Sequence, residues 1–159
     1  MTFIKFLFLV SVCFWLGSIF FFSAVTAPSI FGTLPKQQAG VIITIIFNKY
    51  YLIQYVLAGI SIISLLLLII FDKNNNRLRY LRLTLVCLML ILTVFSGTYI
   101  RNSALQAKAV MKHSEPGSKV YIKAEKTFKG SHRNSVIVNG LVFLAGIVIL
   151  LNIAKRNEL

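Results

Sequence analysis

Four stretches of this chain are apolar for about 20 residues each, at 3–27, 50–71, 81–100 and 136–154. A helix rises ~1.5 Å per residue and a hydrocarbon core is ~30 Å thick, so each stretch is long enough to cross a membrane. In lipid every backbone polar group must be paired within the protein, which leaves helices or a closed barrel. The alternating ~10-residue segments of a barrel do not occur. The expected fold is therefore an all-α membrane protein, a four-transmembrane-helix bundle. It should form one membrane domain over residues 1–159, with long third and fourth helices projecting from one face. Only 13% of residues are charged, against ~25% in a soluble domain.

The first stretch ends in SIFFFSAVTAPSIFGTLP, where Ala24-Val25-Thr26-Ala27 imitates a signal-peptidase site. The apolar run before it is longer than the ~7–15 residues of a signal core, and Pro28 follows the supposed cut. A retained spanning helix is expected. Pro28 has no N–H and restrains Ala27, so the regular helix should bend or stop there, and Pro35 should punctuate again. Gly17, Ser18, Ser23, Ala24 and Ala27 are small enough to let a neighbouring helix approach. The segment 36–71 contains no proline, and as one helix it would run ~54 Å. Asn48, Lys49, Tyr50 and Tyr51 mark an interface. An interfacial helix over 37–47 is expected before span two, continuous with it or kinked. Asp72 in the following basic turn should pair with Lys73 or Arg77. Cys13 and Cys87 read as small apolar core residues.

The net charge is +13. On a soluble domain this would suggest nucleic acid, but here the cations lie between and beside spans. Contact with the lipid bilayer and its anionic headgroups is the plainer reading, and no nucleic-acid motif is present. Lys73, Arg77, Arg79 and Arg82 crowd the short 72–82 turn. The positive-inside rule weighs such span-flanking segments, so both termini are expected in the cytoplasm, in a bacterial inner membrane. The segment 101–133 then forms a basic helical loop on the opposite side.

One polar face stands out. On a helical wheel at ~100° per residue, Lys119, Lys123, Lys126 and Arg133 share one side. Tyr121, Glu125, Phe128, His132, Ser135 and Asn139 form the other, centred about 200° from Lys119. Asn139 in lipid needs a partner, so this stripe should point into the bundle. Thr93, Gly97 and Arg101, four apart, offer a face to meet it. The expected polar cluster is Arg101, Glu125, His132, Ser135 and Asn139, at one mouth of the bundle. Helix fastening is its first reading, at ~0.6 kcal/mol per bond. Binding of an anion or polar ligand comes second. His132 as a metal ligand comes third, because no second ligand stands at metal spacing. Catalysis comes last, because no nucleophile has an oriented base. No cofactor is expected and the protein reads as a non-enzyme.

Three strings in order, WLGSIFFFSAVTAPSIFGTLPKQQAG, FNKYY and FKGSHRNSVIVNG, resemble the membrane family called domain of unknown function 4149. The resemblance rests on Trp15, Leu16, Gly17, Phe22, Ala27, Pro28, Phe31, Leu34, Pro35, Ala39, Gly40, Phe47 and Tyr51. Near the end it rests on Phe128, His132, Ser135 and Asn139. Trp15, Gly17, Ala27, Pro28 and Pro35 make up its helix-turn motif. The resemblance implies a four-helix membrane protein without an assigned reaction. It also implies kinship with eukaryotic transmembrane protein 205, which is linked to platinum-drug resistance, and so a hint of metal or small-molecule handling. Three functions remain open: a binding or scaffold protein, a small transporter or efflux accessory, and a structural or assembly subunit with a membrane-protein partner or a second copy.

Overall fold

The computed structural model describes residues 1–71 and 77–155. Asp72, with its expected partner Lys73, and Arg156 lie outside the described residues. The helices run in the order α1 (Thr2–Phe21), a π-helical turn (Phe22–Thr26), α2 (Ala27–Thr33), α3 (Lys36–Phe71) and α4 (Arg77–Phe95). A second π turn (Ser96–Ile100), α5 (Arg101–Lys112) and α6 (Lys119–Ala154) complete it. Four continuous helices, Thr2–Thr33, Gln37–Phe71, Arg77–Lys112 and Lys119–Ala154, are long and apolar enough to cross a membrane. Many large apolar side chains, among them Phe3, Phe14, Phe20, Phe21, Ile63, Ile70 and Leu144, are exposed. That is the surface of a chain whose solvent is lipid. The protein is an integral, multi-pass membrane protein.

Pro28 does not stop the first helix. The Ala27 N–H donates to the Phe22 carbonyl, five residues back, so the turn before Pro28 is widened. A proline ring clashes with the carbonyl four residues earlier in a regular helix, and the π turn removes that conflict. The helix then continues to Thr33. It ends where Leu34, the residue before Pro35, turns extended at φ −113 and ψ 150, as a pre-proline residue prefers. The interfacial segment 37–47 is likewise part of one unbroken α3. At 36 residues and ~54 Å, α3 outruns the hydrocarbon thickness.

The chain divides into two compact units, Met1–Leu90 with the chain from Phe143 onward, and Ile91–Val142. In the first, α1 packs along α3. Ser11 Oγ lies 2.8 Å from Ser61 Oγ, and the Phe22 and Tyr50 rings are 4.8 Å apart. Both contacts fit one antiparallel register. Alternate steps of three and four residues carry the seam through Phe8, Ser11, Trp15, Ser18 and Phe22. Against them stand Ser64, Ser61, Leu57, Gln54 and Tyr50. This is the spacing of a heptad seam, and all ten side chains are buried or half-buried. Phe22 also lies 4.8 Å from Phe47, and Tyr51 and Tyr55 extend the aromatic group along α3.

The far end of α6 belongs to the same unit. A Cβ at Gly146 would stand 2.9 Å from Leu16 Cγ and 3.1 Å from Cδ1, and closer still to Cδ2. Gly146 thus permits close approach to α1. Gly17, expected to do so, meets nothing within 4 Å of the same construction. Arg82 is buried; its Nε donates to Asn152 Oδ1 at 2.8 Å and its Nη2 to the Asn152 carbonyl at 3.5 Å. Arg79 Nη1 donates to the Leu68 carbonyl at 3.2 Å. Cys13 is exposed and Cys87 half-buried, so Cys13 is a lipid-facing residue and not a core one.

Candidate functional site

The second unit holds all five residues of the expected polar cluster. Two serine pairs set its packing: Ser96 Oγ and Ser135 Oγ at 3.5 Å, and Ser131 Oγ donating to Ser103 Oγ at 3.1 Å. Steps of three and four again describe the seam. Thr93, Ser96, Ile100, Ser103 and Ala107 run antiparallel to Val138, Ser135, Ser131 and Ala124, and the exposed Phe128 stays outside the seam. Thr93, Ser96, Ile100, Ala107, Ala124 and Ser131 are buried. Close approach through serine and alanine, with hydroxyl pairs across it, is the standard means of joining helices in lipid.

The seam settles which way α6 faces. Its buried residues Ala124, Ser131, Val142, Gly146, Ile149 and Ile153 centre about 140° from Lys119 on the same ~100° wheel. The inward face is therefore rotated by about 60° from the one that polarity suggested. Ser135 lies in the seam. Asn139 is half-buried at its edge, and His132 is exposed. Glu125 Oε1 pairs with Lys129 Nζ at 2.7 Å, four residues on and largely exposed. Arg101 is half-buried, and its backbone N–H reaches the carbonyls of Ser96 and Thr98 at the end of the second π turn. Lys119, Lys123, Lys126 and Arg133 are exposed as expected, and Lys129 joins them.

That π turn has no proline to explain it. Ser96 and Gly97 in it are buried, and small residues of this kind mark many departures from α geometry. Thr98 and Tyr99 in the turn, with Asn102, Ser103 and Gln106 beyond it, line a cleft of about 440 Å³. Its walls carry hydroxyls and amides and no formal charge. The alternation of exposed and inward residues there follows from the helix period, yet little in the sequence marks the cleft out, because no residue in it carries a formal charge at neutral pH.

No group of three or more His, Cys, Asp or Glu is placed to hold a metal ion among the described residues. The helix-turn residues fall in the first unit. Trp15 is fully buried, Gly17 exposed, Ala27 half-buried and Pro28 exposed, while Pro35 separates α2 from α3. The polar groups buried in that unit were not among the expected site residues. Trp15 Nε1, Tyr50 Oη and both side-chain atoms of Gln54 are buried without a hydrogen-bond partner. Gln54, the second member of a polar 50/54/61/64 series on one face of α3, was the available signal.

The family model described as "Domain of unknown function (DUF4149)" matches residues 10–113. The match takes in Trp15, Gly17, Ala27, Pro28, Pro35 and Arg101, and ends before Glu125, His132, Ser135 and Asn139. No curated protein and no solved structure matches the chain.

Proposed function

This chain belongs to the DUF4149 family, and from that premise we propose a non-enzymatic binding or scaffold protein of the membrane. Its basic loop engages anionic headgroups. The observation that carries this reading is the first half of α6. Lys119, Lys123, Lys126, Lys129 and Arg133 are all exposed and occupy about a third of the helix circumference at ~100° per residue. Ala124 and Ser131 occupy the inward side. Each such cation contributes about 1 kcal/mol near an anionic surface. The cations continue without a break into the apolar half of the same helix, so they lie beside the bilayer. The crowding of Arg77, Arg79 and Arg82 after α3 supports cytoplasmic termini.

The test is lipid retention. The protein is reconstituted in nanodiscs of mixed neutral and anionic lipid, and co-purifying lipids are counted by native mass spectrometry. Replacing Lys119, Lys123, Lys126 and Arg133 with Gln should abolish the enrichment of anionic lipid. Unchanged enrichment refutes the proposal. Enrichment replaced by a stoichiometric second protein or second copy favours the subunit reading. A transporter or efflux accessory, the reading that a resemblance to transmembrane protein 205 would imply, draws support from the unpaired polar groups between α1 and α3. It predicts solute-dependent flux in sealed vesicles.

A further inference from the structure

The α1–α3 seam contains two kinds of polar side chain. Ser11, Ser18 and Ser61 are satisfied: Ser11 Oγ donates to the Phe8 carbonyl at 2.9 Å, Ser18 Oγ to the Trp15 carbonyl at 2.7 Å, and Ser61 Oγ to the Leu57 carbonyl at 2.9 Å. Trp15 Nε1, Gln54 Oε1 and Nε2, and Tyr50 Oη are not. Trp15 and Gln54 are 0% exposed and Tyr50 is 6% exposed. Tyr50 Oη and the Gln54 amide lie near each other, one turn apart, without meeting hydrogen-bond geometry. The three residues occupy three successive layers of the seam, a stretch of about 10 Å at ~1.5 Å per residue. In a hydrocarbon surrounding, an unpaired amide or hydroxyl is costly, and no bulk water is at hand to relieve it.

We propose that the seam between Trp15, Gln54 and Tyr50 is a binding site for neutral hydroxyl groups. The donor and acceptor inventory selects this chemistry. Trp15 offers one N–H, Gln54 two N–H and a carbonyl, and Tyr50 a hydroxyl that does both. A guest must therefore accept hydrogen bonds and also donate one to Gln54 Oε1. A guest with carbonyls alone leaves Gln54 Oε1 unpaired. An anion would need a guanidinium or ammonium, and a hard cation a shell of oxygens. The seam has no cationic side chain for the first and no carboxylate to neutralise the second, since its ten residues are Phe, Ser, Trp, Leu, Gln and Tyr. A hydroxyl fulfils both requirements, and a buried water making about three hydrogen bonds is its smallest form. A small polyol presents the same group. The site is independent of the basic loop on α6.

Trp15 is the single tryptophan of the chain, so its indole N–H gives one NMR signal. The experiment measures cross-relaxation from that proton, and from the Gln54 side-chain amide, to water in the full-length protein in nanodiscs. A Gln54→Leu variant assigns the amide signal. The proposal expects cross-peaks to water at both N–H groups in the wild type. It expects the Trp15 cross-peak to weaken and the thermal midpoint to fall in Gln54→Leu. Glycerol titration separates the two sources: saturable replacement of the water cross-peaks identifies a polyol, and their persistence identifies water. Where Gln54→Leu does not fold, Tyr50→Phe is the second variant, with the same weakening expected. Two protected N–H protons with no cross-peak to water or glycerol overturn the proposal. A rise in thermal midpoint in Gln54→Leu overturns it too, because a dry seam gains from losing the amide.

Discussion

Gly146 is the position where a single methyl group should be most informative. The added carbon in Gly146→Ala would stand 2.9 Å from Leu16 Cγ and 3.1 Å from Cδ1, where ordinary carbon contacts lie at about 3.5–4.0 Å. Leu16 is 5% exposed, so it has little free space to turn into. Either Leu16 leaves its rotamer or the two helices part by roughly half an ångström, which overpacking data place at about 1–3 kcal/mol. Alanine returns about 1 kcal/mol of helix propensity. The net expectation is a loss of up to about 2 kcal/mol, and about 3 kcal/mol for Gly146→Val, which adds more bulk and regains less propensity. Leu16→Ala alone should cost about 2–5 kcal/mol through the cavity it leaves. The double variant Leu16→Ala/Gly146→Ala should be better than additive by at least about 1 kcal/mol, because each change relieves the other. Reversible unfolding in mixed micelles measures all four variants. Additivity within ~0.5 kcal/mol, the behaviour of sites that do not touch, or a Gly146→Ala variant stabilised by the full propensity gain, would falsify the close-approach argument.

Two further outcomes follow from the same unit. Ser11→Ala and Ser61→Ala should each cost about 0.6 kcal/mol, the usual worth of an interhelical bond in lipid. Their double variant should cost less than the sum, read from the same unfolding curves. Asn152→Ala withdraws the 2.8 Å acceptor from the buried Arg82 and should cost about 1.5–3 kcal/mol, the range for hydrogen bonds to charged groups. Asn152→Asp keeps an acceptor there, and its unfolding midpoint should lie above that of Asn152→Ala.

The four long helices were plain in the sequence because length and apolarity alone decide them. Facing directions were not. Apolar residues surround α1 and α3 on every side, so hydrophobicity does not distinguish the seam from the lipid face. The serines at 11, 18, 61 and 64 were better guides than any leucine. On α6 the polar residues misled, because the helix runs out of the hydrocarbon. There Glu125 and His132 have water or headgroups available, and polarity no longer demands burial. Gly17 and Gly146 are the same residue in the sequence, and only the Leu16 side chain across the gap tells them apart. Pro28 announced a disturbance near residue 27, but whether a helix breaks or widens depends on what continued packing is worth beyond it. Phe22, seated against Phe47 and Tyr50 at the start of the π turn, and the further helix to Thr33 go with widening. The Ser96–Ile100 turn carried no such announcement.

The widened turn at Phe22–Thr26 also acts as a change of phase. A π turn holds one residue more than the α turn it replaces, so every side chain beyond it is displaced by about 100° from where the preceding rhythm would put it. The heptad seam of α1 ends at Phe22, where that displacement begins. Helix one is thus two rods with separate facing directions joined by a one-residue clutch. The rod before it is committed to α3 through Trp15 and its neighbours. The rod after it, Ala27 to Thr33, is aimed independently. A sequence that lost one residue between Phe22 and Thr26 would keep its hydropathy profile intact and yet point Pro28, Phe31 and Thr33 at different neighbours.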